Sequence, residues 1–177
     1  MKFGVGQPFR RVEDQRFITG TGRYTDDIHY DGEAYGFVVR SPVAHGILNG
    51  VDAEAAREMP GVLAVYTGAD LAADNIGTLP AVIVLDNVEG GRMPTPPYHP
   101  LAQGKVTYLG QPVAFVVAET AIEALEAAEA VALDIEDLPA AVDPVAAFAA
   151  DAPQLHPAAP GNVALHWAHG HVAATQA

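Results

Sequence analysis

The apolar residues of this chain fall into short runs, and most of these runs end at a glycine or a proline. Residues 34–41 and 112–118 are rich in β-branched and aromatic residues, which favour strands. Residues 121–131 have the composition of a helix, and Thr120 and Glu123 have the spacing of a capping box at its start. Short strands mixed with two or three short helices place the chain in the α/β class (α+β mixed), rather than among regular parallel sheets.

The other segments predict one body flanked by two irregular ends. Residues 1–34 have neither helical nor strand periodicity, so we expect an extended N-terminal arm. After Asp151 the composition changes to Pro, His and Ala, which is typical of a connector at a domain edge. The further predicted strands of the body are residues 46–51, 62–67, 81–85, 105–109 and 133–136, and its further helical segments are residues 53–59, 69–74 and 145–150.

The length of 177 residues and the absence of cysteine limit the classes of protein that this chain can represent. A domain of this size buries a core without disulfides, and a chain without cysteine holds neither an iron–sulfur cluster nor a thiolate zinc site. The formal charge of -13 argues against nucleic acid, because phosphates repel an acidic surface. Since there is no apolar run of membrane-spanning length and no secretory signal at the N-terminus, we expect a cytoplasmic location.

The charge is spread unevenly along the chain. Five of the nine basic residues lie in the first 23 positions, where Glu13 and Asp14 are the only acidic residues. This basic arm either folds back on its own domain or docks on a partner, where the arginine fork suits carboxylates and backbone carbonyls.

Several isolated residues invite a functional interpretation that their surroundings do not support. Gly20 and Gly22 lack the preceding strand, third glycine and following helix of a nucleotide-binding loop, so a turn is favoured. Asp26 and Asp27 lack the spacing of a calcium loop and are interpreted as turn caps. His45 is interpreted as a structural hydrogen-bonding residue at a strand end rather than as a base.

Four blocks of residues, in a fixed order, are more specific than any of these single positions. Together they resemble the N-terminal α/β hammerhead domain of the large, molybdenum-binding subunit of the xanthine dehydrogenase, aldehyde oxidase and carbon monoxide dehydrogenase family. The resemblance extends from about Gly6 to Asn162. The blocks are residues 11–28; Arg40-Ser41-Pro42 with Ala44-His45; Pro60-Gly61-Val62 with residues 66–71; and residues 108–114 running into residues 117–120.

The resemblance implies that residues 35–156 form a hammerhead domain and that residues 157–177 connect it toward a cofactor-binding domain. The complete enzyme would be an oxidoreductase of the molybdenum hydroxylase type, acting on aldehydes, purines or other heterocycles, or carbon monoxide. Its molybdopterin cofactor would be bound by later domains, and its electrons would pass to iron–sulfur clusters and FAD on companion chains. The partners implied are therefore the domains or subunit that bind the molybdenum cofactor, and the iron–sulfur and flavin subunits.

The resemblance assigns no catalytic, cofactor-binding or metal residue to these 177 residues, and it implies that the isolated chain is inactive. The chain is then a structural and interface domain, either a split subunit or a fragment. The arm residues that we expect at inter-domain contacts are Arg11, Asp14, Arg16, Tyr24 and Asp27.

A second hypothesis rests on the histidines near the C-terminus. His166, His169 and His171 lie close in sequence, and imidazole is a common metal ligand. No acidic or thiol residue lies beside them in sequence, which favours an exposed histidine cluster. The alternative is an independent metal- or ligand-binding protein that uses this C-terminal cluster.

Overall fold

The computed structural model describes Gly6 and residues 11–170, and the chain divides into two compact units, Met1–Glu33 and Ala34–Ala177. Short 3₁₀ turns lie at Thr25–Asp27, Ala146–Phe148 and Pro160–Asn162. The described α-helices are α1 (Asp14–Ile18), α2 (Glu54–Arg57), α3 (Gly68–Ala73) and α4 (Ala121–Glu129). The strands are β1 (Tyr35–Arg40), β2 (Gly46–Asp52), β3 (Val62–Thr67), β4 (Lys105–Val106), β5 (Pro112–Ala118) and β6 (Ala132–Asp137).

The first unit contains a helix that the sequence pattern did not predict. The helix α1 is a little over one turn long and buries none of its residues, so it leaves no apolar periodicity to detect. Its C-terminal end is closed by the carbonyl oxygen of Arg16, which accepts the N–H groups of Thr21 and Gly22 at 2.9 Å each. Phe17 stacks on Tyr24 with ring centroids 5.2 Å apart. The extended arm is therefore interrupted by a local, self-contained turn of helix.

The second unit is built from two three-stranded antiparallel sheets. In the first sheet β5 lies between β1 and β3, with Phe37 opposite Val116 and Val65 opposite Val116 on the other side. In the second sheet β2 lies between β4 and β6, with Gly46 opposite both Val106 and Asp137.

The strand β5 supplies both hydrophobic clusters of the core, because successive side chains of a strand point to opposite faces. Ala114 and Val116 belong to the cluster that is covered by α4, and α4 contributes Ala127 to it. Val113 points the other way and packs with the cluster around Leu48. All four of the residues from β5 and α4 have no solvent exposure.

Side-chain caps fix where the two helices that flank these sheets begin. Thr120 is the N-cap of α4, as predicted, and its hydroxyl oxygen accepts the N–H of Glu123 at 3.2 Å. At α3, Thr67 and Asp70 form a reciprocal capping box, and the carboxylate of Asp70 accepts the backbone N–H of Thr67 at 2.7 Å. Hydrogen bonds from the side chain and backbone of Thr67 hold the pKa of Asp70 below its usual value, assisted by the charge of Arg57.

Three predicted segments differ in the structure. The prediction of a strand at residues 81–85 was wrong: this part forms no strand, and only a single bridge joins Asp86 to Arg92 nearby. A run of β-branched residues becomes a strand only where another strand offers its N–H and C=O groups. The predicted strand 105–109 is reduced to β4, which lies in a different sheet from β5. The predicted helical run 145–150 is a 3₁₀ turn, capped by Asp143.

The central position of Val116 predicts a measurable loss of stability. Replacing Val116 by Ala removes two buried methyl groups from a fully enclosed site, and we expect the free energy of unfolding to fall by about 1.5 to 3 kcal/mol. Val82→Ala is the matched control, because Val82 is 97% exposed and should change stability by less than about 0.5 kcal/mol. Urea denaturation followed by circular dichroism compares the two variants. Equal midpoints would contradict this assignment of the core.

Candidate functional site at the crossover between the two sheets

Each strand is followed by a strand of the other sheet, and two of the five connections between the sheets run side by side. Residues 41–45 lead from β1 to β2, and residues 107–111 lead from β4 to β5. The backbone N–H of Ser41 donates to the carbonyl of Gln111 at 2.8 Å, and the N–H of Gly110 donates to the carbonyl of Ser41 at 2.9 Å. The second and fourth sequence blocks are thus hydrogen-bonded to each other.

Gly110 makes the tight turn of the second connection possible. Its φ of +79° lies in the left-handed region, which a residue with a Cβ adopts at a cost. The turn closes when the N–H of Gln111 donates to the carbonyl of Tyr108 at 3.2 Å. The guanidinium Nη1 of Arg40 donates to the carbonyl of Gly110 at 3.0 Å, which ties the turn to the end of β1.

The side chain of Gln111 satisfies backbone groups inside the crossover. Gln111 is buried, and its Oε1 accepts the backbone N–H of Thr107 at 2.7 Å and the hydroxyl of Thr107 at 3.3 Å. Ser41 is also buried, and its hydroxyl bonds to the backbone of Val43 in both directions. These two polar side chains therefore support the connections from inside. The hydroxyl of Ser41 is buried and is not placed to act as a nucleophile.

His45 closes the first connection at the start of β2. It is only 5% exposed, and its Nδ1 lies 2.6 Å from the carbonyl oxygen of Pro139. The interpretation of His45 as a structural hydrogen-bonding residue is confirmed. Its Nε2 is buried without a partner among the described residues.

A cavity of about 570 Å³ lies beside this crossover. Lys105 and His156 are half-buried at its wall, and the hydroxyl groups of Tyr98 and Tyr108 are 3.2 Å apart. Burial raises the pKa of Tyr108 to about 12, and the hydrogen bond and charge of Tyr98 add to this effect. Burial, and then the charges of Lys105 and His45, lower the pKa of His156. Sequence analysis missed these residues, because Tyr98 and His156 are 58 positions apart and no local pattern joins them.

The arm residues predicted at inter-domain contacts lie on the surface of the first unit. Arg11, Asp14 and Arg16 are exposed, and none of them forms an ion pair with another residue in the part of the chain that the structure describes. Asp27 accepts the backbone N–H of Tyr24 at 2.9 Å, so the prediction that Asp27 caps a turn is confirmed. Their expected role in docking stays a prediction.

The C-terminal histidines are placed differently from one another. His166 pairs with Glu89, and its backbone N–H donates to the Oδ1 of Asn87 at 2.9 Å, so residues from two distant segments meet here. His169 stacks on Trp167, and His171 lies outside the described residues. The carboxylate beside His166 could not be foreseen, because Glu89 is 77 positions away. Within residues 11–170 there is no group of three or more His, Cys, Asp or Glu side chains that could hold a metal ion.

The family model described as the a/b hammerhead domain of aldehyde oxidase and xanthine dehydrogenase matches residues 19–139. The chain belongs to this family. Its matched region spans all six strands and three of the four described helices, including both halves of the crossover. The resemblance carried by the four sequence blocks and the α/β fold class are both confirmed.

The relatives of this hammerhead chain are large subunits of molybdenum hydroxylases. It is 40% identical over 140 residues to the nicotine 6-hydroxylase large subunit of Paenarthrobacter nicotinovorans, covering 79% of this chain and 16% of the relative. It is 40% identical over 152 residues to the carbon monoxide dehydrogenase large chain of Afipia carboxidovorans, covering 86% and 17%. The structure of quinoline 2-oxidoreductase from Pseudomonas putida 86 matches with a TM-score of 0.72 at 35% identity, covering 86% of this chain and 19% of that one.

The chain spans about one sixth of the length of the curated relatives that it matches. It corresponds to the hammerhead segment of these large chains, and relatives include a molybdenum-binding subunit of xanthine dehydrogenase from Escherichia coli O157:H7. Among the described helices of this segment, none is long and apolar enough to cross a lipid bilayer.

The role of Gln111 in the crossover predicts that removing its amide destabilises the hammerhead. Gln111→Met keeps the size of the side chain but leaves the N–H of Thr107 without its buried acceptor, at a cost of about 1 to 3 kcal/mol. Gln15→Met changes an exposed glutamine and serves as the control. Thermal and urea unfolding report the difference, and unchanged stability of Gln111→Met would contradict the supporting role.

Proposed function

We propose that this chain is a structural and interface domain, or a split subunit, of a molybdenum-dependent hydroxylase or dehydrogenase in the cytoplasm. Residues 35–156 act as the hammerhead body, and residues 157–177 connect it toward the domains that bind the molybdenum cofactor. Iron–sulfur and flavin subunits complete the electron path of the whole enzyme. The observation that carries the proposal is the hammerhead family match over residues 19–139.

The side chains and loops that the structure describes do not fit a molybdopterin dinucleotide. The pyrophosphate of a dinucleotide binds where free backbone N–H groups start a helix after a glycine-rich loop. Gly20 and Gly22 follow α1 and precede a 3₁₀ turn, so no such helix start lies beside them. At the start of α4, the longest described helix, the hydroxyl of Thr120 already accepts the N–H of Glu123. We therefore derive no catalytic step in this chain and assign none of its residues to the cofactor.

An exposed apolar segment supports the role of an interface. Residues 76–88 connect α3 toward β4 without forming a helix or strand, and their large apolar side chains are exposed to solvent. Contiguous exposed apolar surface is uncommon on a stable monomer and marks protein contacts. The exposed side chains of this segment are Ile76, Leu79, Val82, Ile83, Val84, Leu85 and Val88.

The N-terminal arm is a second, charged surface for which we propose a docking role. All of the predicted contact residues are exposed, but Tyr24 stacks on Phe17 and Asp27 caps a turn, which leaves Arg11, Asp14 and Arg16 as the side chains best placed to meet a partner. Removing an arginine that is buried against a carboxylate weakens a complex strongly, because the carboxylate is left buried without its partner. The arm is then expected to bind a cofactor-binding domain through paired arginine contacts.

Arg16→Ala separates docking from folding. Because Arg16 is exposed, we expect the free energy of unfolding of the isolated chain to change by less than about 0.5 kcal/mol. The affinity for the co-expressed cofactor-binding domains should fall about tenfold or more, measured by calorimetry after co-purification. Arg23→Ala makes the same charge change in the same arm and should leave this affinity unchanged. If Arg16→Ala also leaves it unchanged, Arg16 takes no part in docking.

Because no fitting cofactor site is found within residues 11–170, we predict the metal content of the isolated chain. Purified alone, it should contain no stoichiometric molybdenum, pterin or iron, and it should gain none after incubation with molybdate. Inductively coupled plasma mass spectrometry and pterin fluorescence measure these contents. Stoichiometric molybdenum bound to the isolated chain is the outcome that would contradict the proposal.

A further inference from the structure

The cavity beside the crossover is lined by basic, neutral polar and apolar residues. Among the described residues that line it, none is an aspartate or a glutamate. The chain as a whole has 22 acidic residues and nine basic ones. A wall of this size without a carboxylate therefore differs in charge from the rest of the chain. A site that excludes carboxylates and includes cations favours an anionic ligand.

Lys105 provides the fixed positive charge of this wall. It lies on the edge strand β4 opposite Ile47, and its ammonium donates to the carbonyl of Leu155 at 2.9 Å. An ammonium has three protons, and no other acceptor for them is found in the described part of the chain. Glu136 occupies the same cross-strand row on β6, but no described ion pair joins it to Lys105. The ammonium therefore has N–H groups that can donate hydrogen bonds to a ligand.

Other donors lie on the same wall. The Oε1 of Gln111 is used by Thr107, which leaves its Nε2 group for a ligand in the cavity. The hydroxyl of Tyr108, whose pKa is raised to about 12, lies 3.2 Å from the hydroxyl of Tyr98 on this wall. His99 also lines the cavity, and its Nδ1 is buried without a partner among the described residues.

The surroundings of His156 disfavour its charged form. The charges of Lys105 and His45 add to burial in lowering the pKa of His156, which lines the cavity. His45 itself is buried and has an unpartnered Nε2. An anion placed between Lys105 and His156 would relieve this repulsion.

Apart from Gln103 and Thr107, the rest of the wall is apolar. Pro96, Pro97 and Pro157 line the cavity together with Leu155 and Ala164. A volume of about 570 Å³ is within the range of pockets that hold small organic molecules, and it greatly exceeds what an inorganic ion fills. The ligand thus needs an apolar body as well as a negative charge.

We propose that this cavity binds a small organic carboxylate, with Lys105 and the amide of Gln111 as donors to the carboxylate and the proline-rich wall against its apolar body. This binding activity goes beyond the interface role proposed above and does not depend on it. The half-buried ammonium orients the charged end, and the aromatic rings of Tyr98 and Tyr108 flank the ligand.

Titration calorimetry of the 177-residue chain tests the proposal with three probes. Benzoate should bind with a Kd of about 1 mM or tighter. Benzamide has the same shape without the charge, and inorganic phosphate has the charge without the apolar body, so each should bind at least about tenfold more weakly. Equal binding of benzamide, equal binding of phosphate, or no saturable binding of benzoate would each overturn the proposal.

Lys105→Met should weaken benzoate binding about tenfold or more, because it removes the charged donor. Lys2→Met removes the only other lysine of the chain and makes the same charge change, so it should bind benzoate as the unsubstituted chain does. Circular dichroism checks that both variants are folded. Unchanged affinity of Lys105→Met would overturn the assignment.

Nuclear magnetic resonance gives a readout that needs no variant. Benzoate should shift the amide resonances of Lys105, His156 and Ala158, and it should raise the pKa of His156, since a bound anion stabilises the charged imidazole. This result stands even if Lys105→Met fails to fold. Shifts confined to the arginines of the N-terminal arm would place the anion elsewhere and refute the cavity.

Discussion

The backbone pairing between Ser41 and the turn at Gly110-Gln111 is the contact on which the hammerhead body depends. Where the chain leaves one sheet for the other, its N–H and C=O groups lose the ladder that would otherwise satisfy them. Here the two crossing segments satisfy each other, with bonds of 2.8 and 2.9 Å. The buried amide of Gln111 completes the arrangement by accepting the N–H of Thr107. An unpaired buried group would cost more than such a bond contributes, so the two crossings are stable only together.

This pairing also determines which strands are neighbours and which hydrophobic clusters they reach. Because the crossings run side by side, β1 and β5 are neighbours in one sheet while β2 and β4 are neighbours in the other. The strand β5 then presents Val113 to one hydrophobic cluster and Val116 to the other. A change at one crossing is therefore transmitted to both cores through a single strand.

The distribution of apolar, polar and charged side chains agrees with the supporting role proposed for this domain. The core clusters consist of small aliphatic residues, and the polar groups buried among them are used to satisfy backbone. Charged and large apolar side chains are exposed on the arm and on residues 76–88, which are surfaces rather than enclosed sites. The basic cavity near Lys105 is an exception, because several donors there converge without a carboxylate. The pocket thus differs in charge from the chain as a whole, and it is separate from residues 76–88.

The sequence by itself determined the local features and the family. The strand β5, the N-cap at Thr120 and the turn cap at Asp27 follow from interactions within a few residues, and each was predicted from its own segment. The four blocks identified the hammerhead because their order and spacing are characteristic of that domain. The sequence alone is therefore enough to identify the family.

Tertiary structure alone decided which segments meet. Residues 81–85 have the composition of a strand but find no partner, and β4 separates from β5 although the two follow each other closely in sequence. Lys105 meets Leu155 across 50 positions, and Glu89 meets His166 across 77. A propensity acts over a few neighbouring residues, whereas strand pairing and a cavity require distant segments to be brought together by the packing of the whole core.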